Sequence, residues 1–238
     1  MEDHAATVPS ATEARDGGQV DPSVPRRRTQ RERRETTIRR LIDATIAVIA
    51  DVGYANASLG MICERSGVSR GGLFRHFDSR LDLMDATAAE VGRRHVIQAR
   101  QQLTALHEPT LIEALRVMRD RHRNVENVVW FELMVAARTD PDLRTRLSET
   151  GRQFFADIVE VSRLVPGAEL FPEEDLEMLV NTLEHTFDGE AIRREIAPDP
   201  VAEDRRLELA ADFAVFLITR RMNAASSTAE PDPPSSSG

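Results

Sequence analysis

Residues 53–84 read GYANASLGMICERSGVSRGGLFRHFDSRLDLM, and the order of caps, small residues and apolar residues in this stretch decides the fold. Ser58 is a good helix N-cap, and Leu59, Ile62 and Cys63 follow it at helical spacing, so a short helix is predicted over Leu59–Ser66. Gly67 breaks that helix, Val68 is apolar, and Ser69 supplies a fresh N-cap for a helix expected over Arg70–Phe77. Two short helices joined by a glycine turn have the form of a helix-turn-helix, whose second helix can present its N-terminal residues to base edges in a major groove. Leu73, Phe77, Ile62 and Val68 are the apolar positions expected to hold the unit together, with Phe77 against the preceding helix.

The pattern extends in both directions. Upstream, Ile38, Leu41, Ile42, Thr45, Ile46 and Ile49 lie on one face of a helix expected over Arg33–Asp51, and Gly53 stands where a left-handed C-cap would. Downstream, Asp78 and Ser79 can cap a longer helix through Leu81, Leu83, Met84, Ala88 and Val91 towards Arg100. Further helices are expected over Thr110–Arg123, Val125–Arg138, Leu143–Leu164, Pro172–Ile196 and Val201–Ala224. Each is bounded by a proline, a glycine or both: Pro109, Thr139-Asp140-Pro141, Pro166-Gly167 and Pro198-Asp199-Pro200. The predicted fold is therefore all-α, an N-terminal three-helix helix-turn-helix domain plus a C-terminal helical bundle, to which the family resemblance given below assigns ligand binding and dimerisation. Its expected divisions are a disordered tail at 1–25, the helix-turn-helix with a basic arm at 26–80, the bundle at 81–223 and a low-complexity tail at 224–238.

Charge separates the same regions. The chain carries a formal net charge of −9, but residues 26–100 hold 15 arginines against 9 acids, or +6, while residues 101–238 come to −11 and residues 1–25 to −4. One basic segment joined to an acidic body fits a module that meets phosphate and a body that does not. A single cysteine, Cys63, excludes an intramolecular disulfide and suits a reducing compartment; with no apolar leader and no run of about 20 apolar residues, a cytoplasmic protein away from membranes is expected.

The stretch resembles the signature of the tetracycline-repressor family. That signature typically ends its first helix in Phe-x-x-x-Gly-Tyr and opens the second with Thr or Ser. An Ile-Ala-x-x-Ala-Gly-Val-Ser core, then Gly-Thr-Leu-Tyr-x-Tyr-Phe and a Ser-Lys before the fourth helix complete it. Here Gly53-Tyr54, Ser58, Ile62-Cys63, Ser66-Gly67-Val68-Ser69, Gly71-Gly72-Leu73-Phe74, His76-Phe77 and Ser79-Arg80 occupy those places. Three positions depart: Gly72 stands for Thr or Ser, and Phe74 and His76 stand for tyrosines, so hydroxyl donors to phosphate are lost, although His76 can still donate.

What the resemblance implies is a dimeric DNA-binding transcriptional regulator, a repressor released from a palindromic operator by a small apolar ligand. The DNA-facing residues it marks are Ser58, Ser69, Arg70, Gly72, Phe74, Arg75, His76 and Arg80. The charge run Arg26, Arg27, Arg28 and Arg31 reads as an arm along the backbone or minor groove. Arg70 and Arg75 are the sharpest candidates, because arginine can fork onto guanine or phosphate. The resemblance also implies an effector pocket in the middle helices, for which Met118, His122, Trp130, Met134 and Phe155 are candidates, and a dimer interface on the last two helices. Candidates for the latter are Leu176, Leu179, Leu183, Phe187, Ala210, Phe213, Ala214 and Leu217. The partners expected are double-stranded operator DNA, a second copy of the chain and an unidentified small-molecule effector. No cofactor is expected, and no phosphate loop, nucleophile elbow or His-x-x-x-His pair suggests an enzyme or a metal site. A ligand- or metal-sensing activator, or a helical adaptor using the basic arm away from DNA, are the alternatives the residues leave open.

Overall fold

The computed structural model describes residues 29–228, with side chains to residue 223; Arg26, Arg27 and Arg28 of the predicted arm, the tail at 1–25 and residues 229–238 lie outside this range. All regular structure among the described residues is helical: α1 (Gln30–Asn56), α2 (Leu59–Ser66), α3 (Arg70–Leu73), α4 (Arg80–Ala105), α5 (Leu111–Arg121), α6 (Val125–Ala137), α7 (Pro141–Ser162), α8 (Glu173–Ile196) and α9 (Pro200–Thr228), with a 3-10 turn at Ala168–Leu170.

Side-chain caps start most of these helices where the sequence predicts. Thr29 and Glu32 form a reciprocal capping box at α1, as do Thr110 and Glu113 at α5, while Ser58, Ser69 and Ser79 each accept a backbone N–H of their helix's first turn. Asp140 does the same for α7, with Pro141 at the first helical position, where a missing N–H costs nothing. Gly67 ends α2 in the left-handed conformation at φ 63°, and Arg40 of α1 donates to the Ser66 carbonyl just before it.

Several helix ends shift by a few residues from expectation, and three of the differences have a clear physical reason. α1 does not stop at Gly53: the backbone breaks there at φ 75°, ψ 163°, then resumes one further turn to Asn56. The third helix is a single turn ending at Leu73 rather than running to Phe77, consistent with the helix-weakening pair Gly71-Gly72 at its centre. α9 reaches Thr228, past the expected helix end at Ala224, since no proline or glycine stands between Arg221 and Thr228.

The core is continuous across the two predicted domains. Leu41, Ile46 and Ile49 of α1, Ile62 of α2, Leu73 and Phe77 belong to one buried cluster with Met84 and Val91 of α4, Trp130 and Leu133 of α6, and Phe154 of α7. Burying side chains of this size contributes roughly 1.5–3 kcal/mol each. α4 packs on α1, α5, α6 and α7, so one helix begins in the DNA-binding module and passes through the body. A second cluster holds Leu115, Met118, Leu183, Phe187, Leu207 and Ala211, where α5, α8 and α9 meet.

Candidate functional site

The helix-turn-helix is fixed from below and open above. Ile62 and Leu73 are fully buried and Phe77 nearly so, whereas Ser69, Arg70, Gly71, Phe74 and Arg75 are exposed on the opposite side of the short α3 turn. Ser69 Oγ accepts from the Gly72 amide at 3.1 Å, so this hydroxyl starts the helix and still has a lone pair and a proton for another partner. The exposed guanidinium groups of Arg70 and Arg75 sit on this rigid base with the reach that base or phosphate recognition needs.

The remaining sequence candidates divide. Ser58 is exposed and caps α2 by accepting from the Met61 amide at 3.2 Å. Arg31 is exposed beside Glu35, its Nε donating at 2.8 Å, a surface pair of little energetic weight that leaves the arginine available to a stronger anion. His76 is half-buried, and its Nδ1 is buried without a hydrogen-bond partner. Gly72 has a steric reason to be small: a Cβ there would stand 2.9 Å from Cγ1 of Val68 and 3.2 Å from Oγ of Ser69. Arg80 points inward. Its Nη1 donates to Tyr54 Oη at 2.7 Å, its Nη2 to the Tyr54 carbonyl at 3.0 Å, and its guanidinium lies 4.3 Å from the centre of the Tyr54 ring. In this conformation Arg80 ties α4 to the end of α1 rather than reaching outward.

In the body, the five pocket candidates are not gathered round one void. Met118, His122 and Trp130 are buried, while Met134 and Phe155 are half-buried. What joins several of them is a chain of rings through the bundle: Phe155, Trp130, Phe154, His95, His122 and Phe187, successive centroids 4.5–6.3 Å apart. The polar part of this centre escapes sequence reasoning. Glu184 and Asp188, one turn apart on α8, face His122 with carboxylate oxygens 3.2 and 3.8 Å from Nε2, while the Met118 carbonyl is 2.9 Å from Nδ1. Asn127 donates to the His122 carbonyl at 3.1 Å and to Asp188 at 3.0 Å. Burial opposes the charge on His122, but the Glu184 hydrogen bond and the two carboxylates outweigh it, and its pKa is raised. Burial lowers His95 to about 4 and raises Asp188. For these two acids the signal in the chain is only that each directly follows an apolar residue of the stripe, Glu184 after Leu183 and Asp188 after Phe187.

Beside Met118 lies a separate apolar cavity of about 40 Å³, bordered by Leu111, Leu115, Phe171, Leu183 and Ile218. Among the described residues no group of three or more His, Cys, Asp or Glu side chains is arranged to hold a metal ion, and no helix is long and apolar enough to cross a membrane.

The dimer candidates divide by burial. Leu176, Leu183, Phe187 and Ala214 are buried within the chain itself, and Leu179, Ala210 and Leu217 are partly so; they form the intrachain core of α8 and α9. Only Phe213, 49% exposed, belongs to an open face, which it shares with Met178, Leu209 and Phe216. The two stripes alternate round α9, and helical periodicity alone does not say which faces inward.

Comparison with known proteins agrees with this geometry. Residues 41–87 match the family of bacterial regulatory proteins of the tetR type, and residues 99–218 match the C-terminal domain of the BetI-type transcriptional repressor. An uncharacterised helix-turn-helix transcriptional regulator of Mycobacterium tuberculosis is 44% identical over 184 residues, covering 76% of this chain and 94% of its own. A TetR-family regulator structure from Rhodococcus sp. superposes with a TM-score of 0.59 at 19% identity, over 76% of this chain and 98% of that one. A Saccharomonospora viridis regulator solved with choline gives a TM-score of 0.53 at 21% identity, over 75% of this chain and 95% of its own. With a DNA-binding helix-turn-helix on a helical body and matches along most of its length, the chain belongs to the TetR family of transcriptional regulators, which are not enzymes.

Proposed function

We propose that this regulator binds an inverted-repeat operator as a homodimer and is released when a small, largely apolar effector with one polar or cationic group enters the body. The observation that carries the DNA half is the outward pair Arg70 and Arg75 on a turn anchored by buried Leu73 and Phe77. Ser69, Phe74, His76 and the backbone at Gly71 and Gly72 position that turn on the groove, while Ser58, Arg31 and the arm at Arg26, Arg27 and Arg28 add phosphate contacts. Arg80 joins them only if it leaves Tyr54.

Two copies are needed because one short recognition element reads few bases. Half-sites about 34–36 Å apart then tolerate little change in the separation of the two elements. The exposed apolar face of α8 and α9 supports pairing through those helices. The aromatic centre and the apolar cavity beside Met118 support an effector that is mostly apolar, and Glu184 and Asp188, which pair with His122 and Asn127 in the free chain, support a cationic group that exchanges for that pairing. The choline-bound relative fits the same chemistry.

A gel shift with duplexes selected by the wild-type chain from a randomised pool tests this reading. Inverted repeats should emerge, and Arg70→Ala or Arg75→Ala should each weaken binding by about 1–3 kcal/mol. Selection of no sequence, or full affinity in both variants, contradicts it.

A further inference from the structure

We infer that Glu132 is a positioning residue for DNA binding: its carboxylate, bonded to the Tyr54 amide at the Gly53 break, ties the helix-turn-helix to the body and carries the coupling between them. At φ 75° and ψ 163° Gly53 occupies backbone space essentially closed to other residues, and the Tyr54 amide then donates sideways to Glu132 Oε2 of α6 at 2.9 Å. A Cβ on residue 53 would stand 3.1 Å from that oxygen, so the glycine both makes the break and leaves room for the acid.

The other end of the same residue is held by α4. The Tyr54 carbonyl and phenol both accept from Arg80, whose Nη2 also reaches the Ala57 carbonyl at 3.4 Å. Tyr54 is thus clamped between an anion from α6 and a cation at the start of α4, within four residues of Ser58, the cap of α2. A shift of α6 therefore reaches Tyr54, and through it Arg80 at the start of α4 and the turn that leads to Ser58 and α2. Conversely, DNA held by α3 should tighten this clamp, because coupling between two sites is reciprocal. α6 also packs on α1 and α4 through buried Trp130 and Leu133, and the Glu132 carboxylate is the directional polar link within that apolar contact.

Hydrogen exchange on the full-length chain, with and without a duplex it has selected, tests the inference. In the wild type, DNA should slow exchange at Tyr54 and along α6 by roughly fivefold or more. In Glu132→Ala the slowing should stay within residues 54–80 and fail to reach α6, while Glu132→Gln, whose carboxamide oxygen can still accept, should restore it. Tyr54→Phe, which cuts the Oη bond to Arg80, should weaken the transfer even if Glu132→Ala folds poorly. An α6 that is indifferent to DNA in the wild type, equally protected in Glu132→Ala, or as uncoupled in Glu132→Gln as in the alanine variant overturns the inference. Loss of DNA binding by the wild type would instead contradict the DNA reading, so the two failures are distinguishable.

Discussion

Nε2 of His122 lies 3.2 Å from Oε2 of Glu184, with the two side chains 1% and 7% exposed, so an ion pair sits almost dry in the middle of the body. Because the raised pKa of His122 exceeds its unfolded value, this pair contributes stability fully below about pH 6.5 and loses it as pH climbs through the folded value. Glu184→Gln should therefore cost about 3 kcal/mol near pH 6 and clearly less at pH 9. Urea denaturation of both proteins at the two pH values measures it, and equal costs would contradict the pairing.

His95 should show the opposite slope. Its ring touches those of His122 and Phe154, and burial, with His122 and Arg121 nearby, outweighs Glu184 to hold its pKa at about 4. The unfolded chain takes up this proton near pH 6.5, so the folded state is penalised as pH falls from there towards 4, by roughly 3 kcal/mol in all. His95→Phe should remove that part of the acid loss. Thermal unfolding curves of wild type and variant would then diverge most between about pH 6.5 and 4; parallel curves would show that the imidazole is not the responsible group.

Neighbouring glycines in α3 should behave differently. A Cβ on Gly71 meets nothing within 4 Å, whereas one on Gly72 would stand 2.9 Å from a Val68 methyl. Gly71→Ala should stabilise the fold by about 0.5–1 kcal/mol through helix propensity, and Gly72→Ala should gain nothing or lose stability. If the backbone at Gly71 closes on the DNA, the same Gly71→Ala protein will bind its selected duplex less tightly despite being more stable. Denaturation and gel shifts on both variants separate the two effects.

These glycines also mark where sequence reading reaches its limit. Caps at Ser58, Ser69 and Ser79 and the break at Gly67 act through neighbours two or three residues away, so the order of helices is legible from the chain. The environment of Arg80 is set by Tyr54, 26 residues earlier, and the amide of Tyr54 by Glu132, 78 residues later; no local pattern contains either pairing. The same holds for Glu184, which looks like a solvated acid on α8 until folding brings His122 against it. Leu183 and Phe187 form a stripe that suits a dimer face or a core equally well, and only packing against Leu207 and Met118 decides for the core.

That distinction directs the final prediction. Phe213 and Phe216 are 49% and 59% exposed on α9, with Met178 and Leu209 each 68% exposed nearby in the α8–α9 layer. Large side chains left open in this number are costly to hydrate, and a second copy presenting the same face would cover them symmetrically. Phe216→Arg places like charges opposite one another in such a pairing while leaving the buried stripe of Leu207, Ala211 and Ala214 untouched. Sedimentation at micromolar concentration should show a dimer for the wild type and a folded monomer for Phe216→Arg. Affinity for an inverted-repeat duplex should fall by a hundredfold or more on the order of magnitude that loss of one linked half-site implies. Leu183→Ala, by contrast, should lower the unfolding midpoint, at a cost of about 2–5 kcal/mol, and leave the dimer intact. A Phe216→Arg protein that still sediments as a dimer would place the pairing surface elsewhere on the molecule.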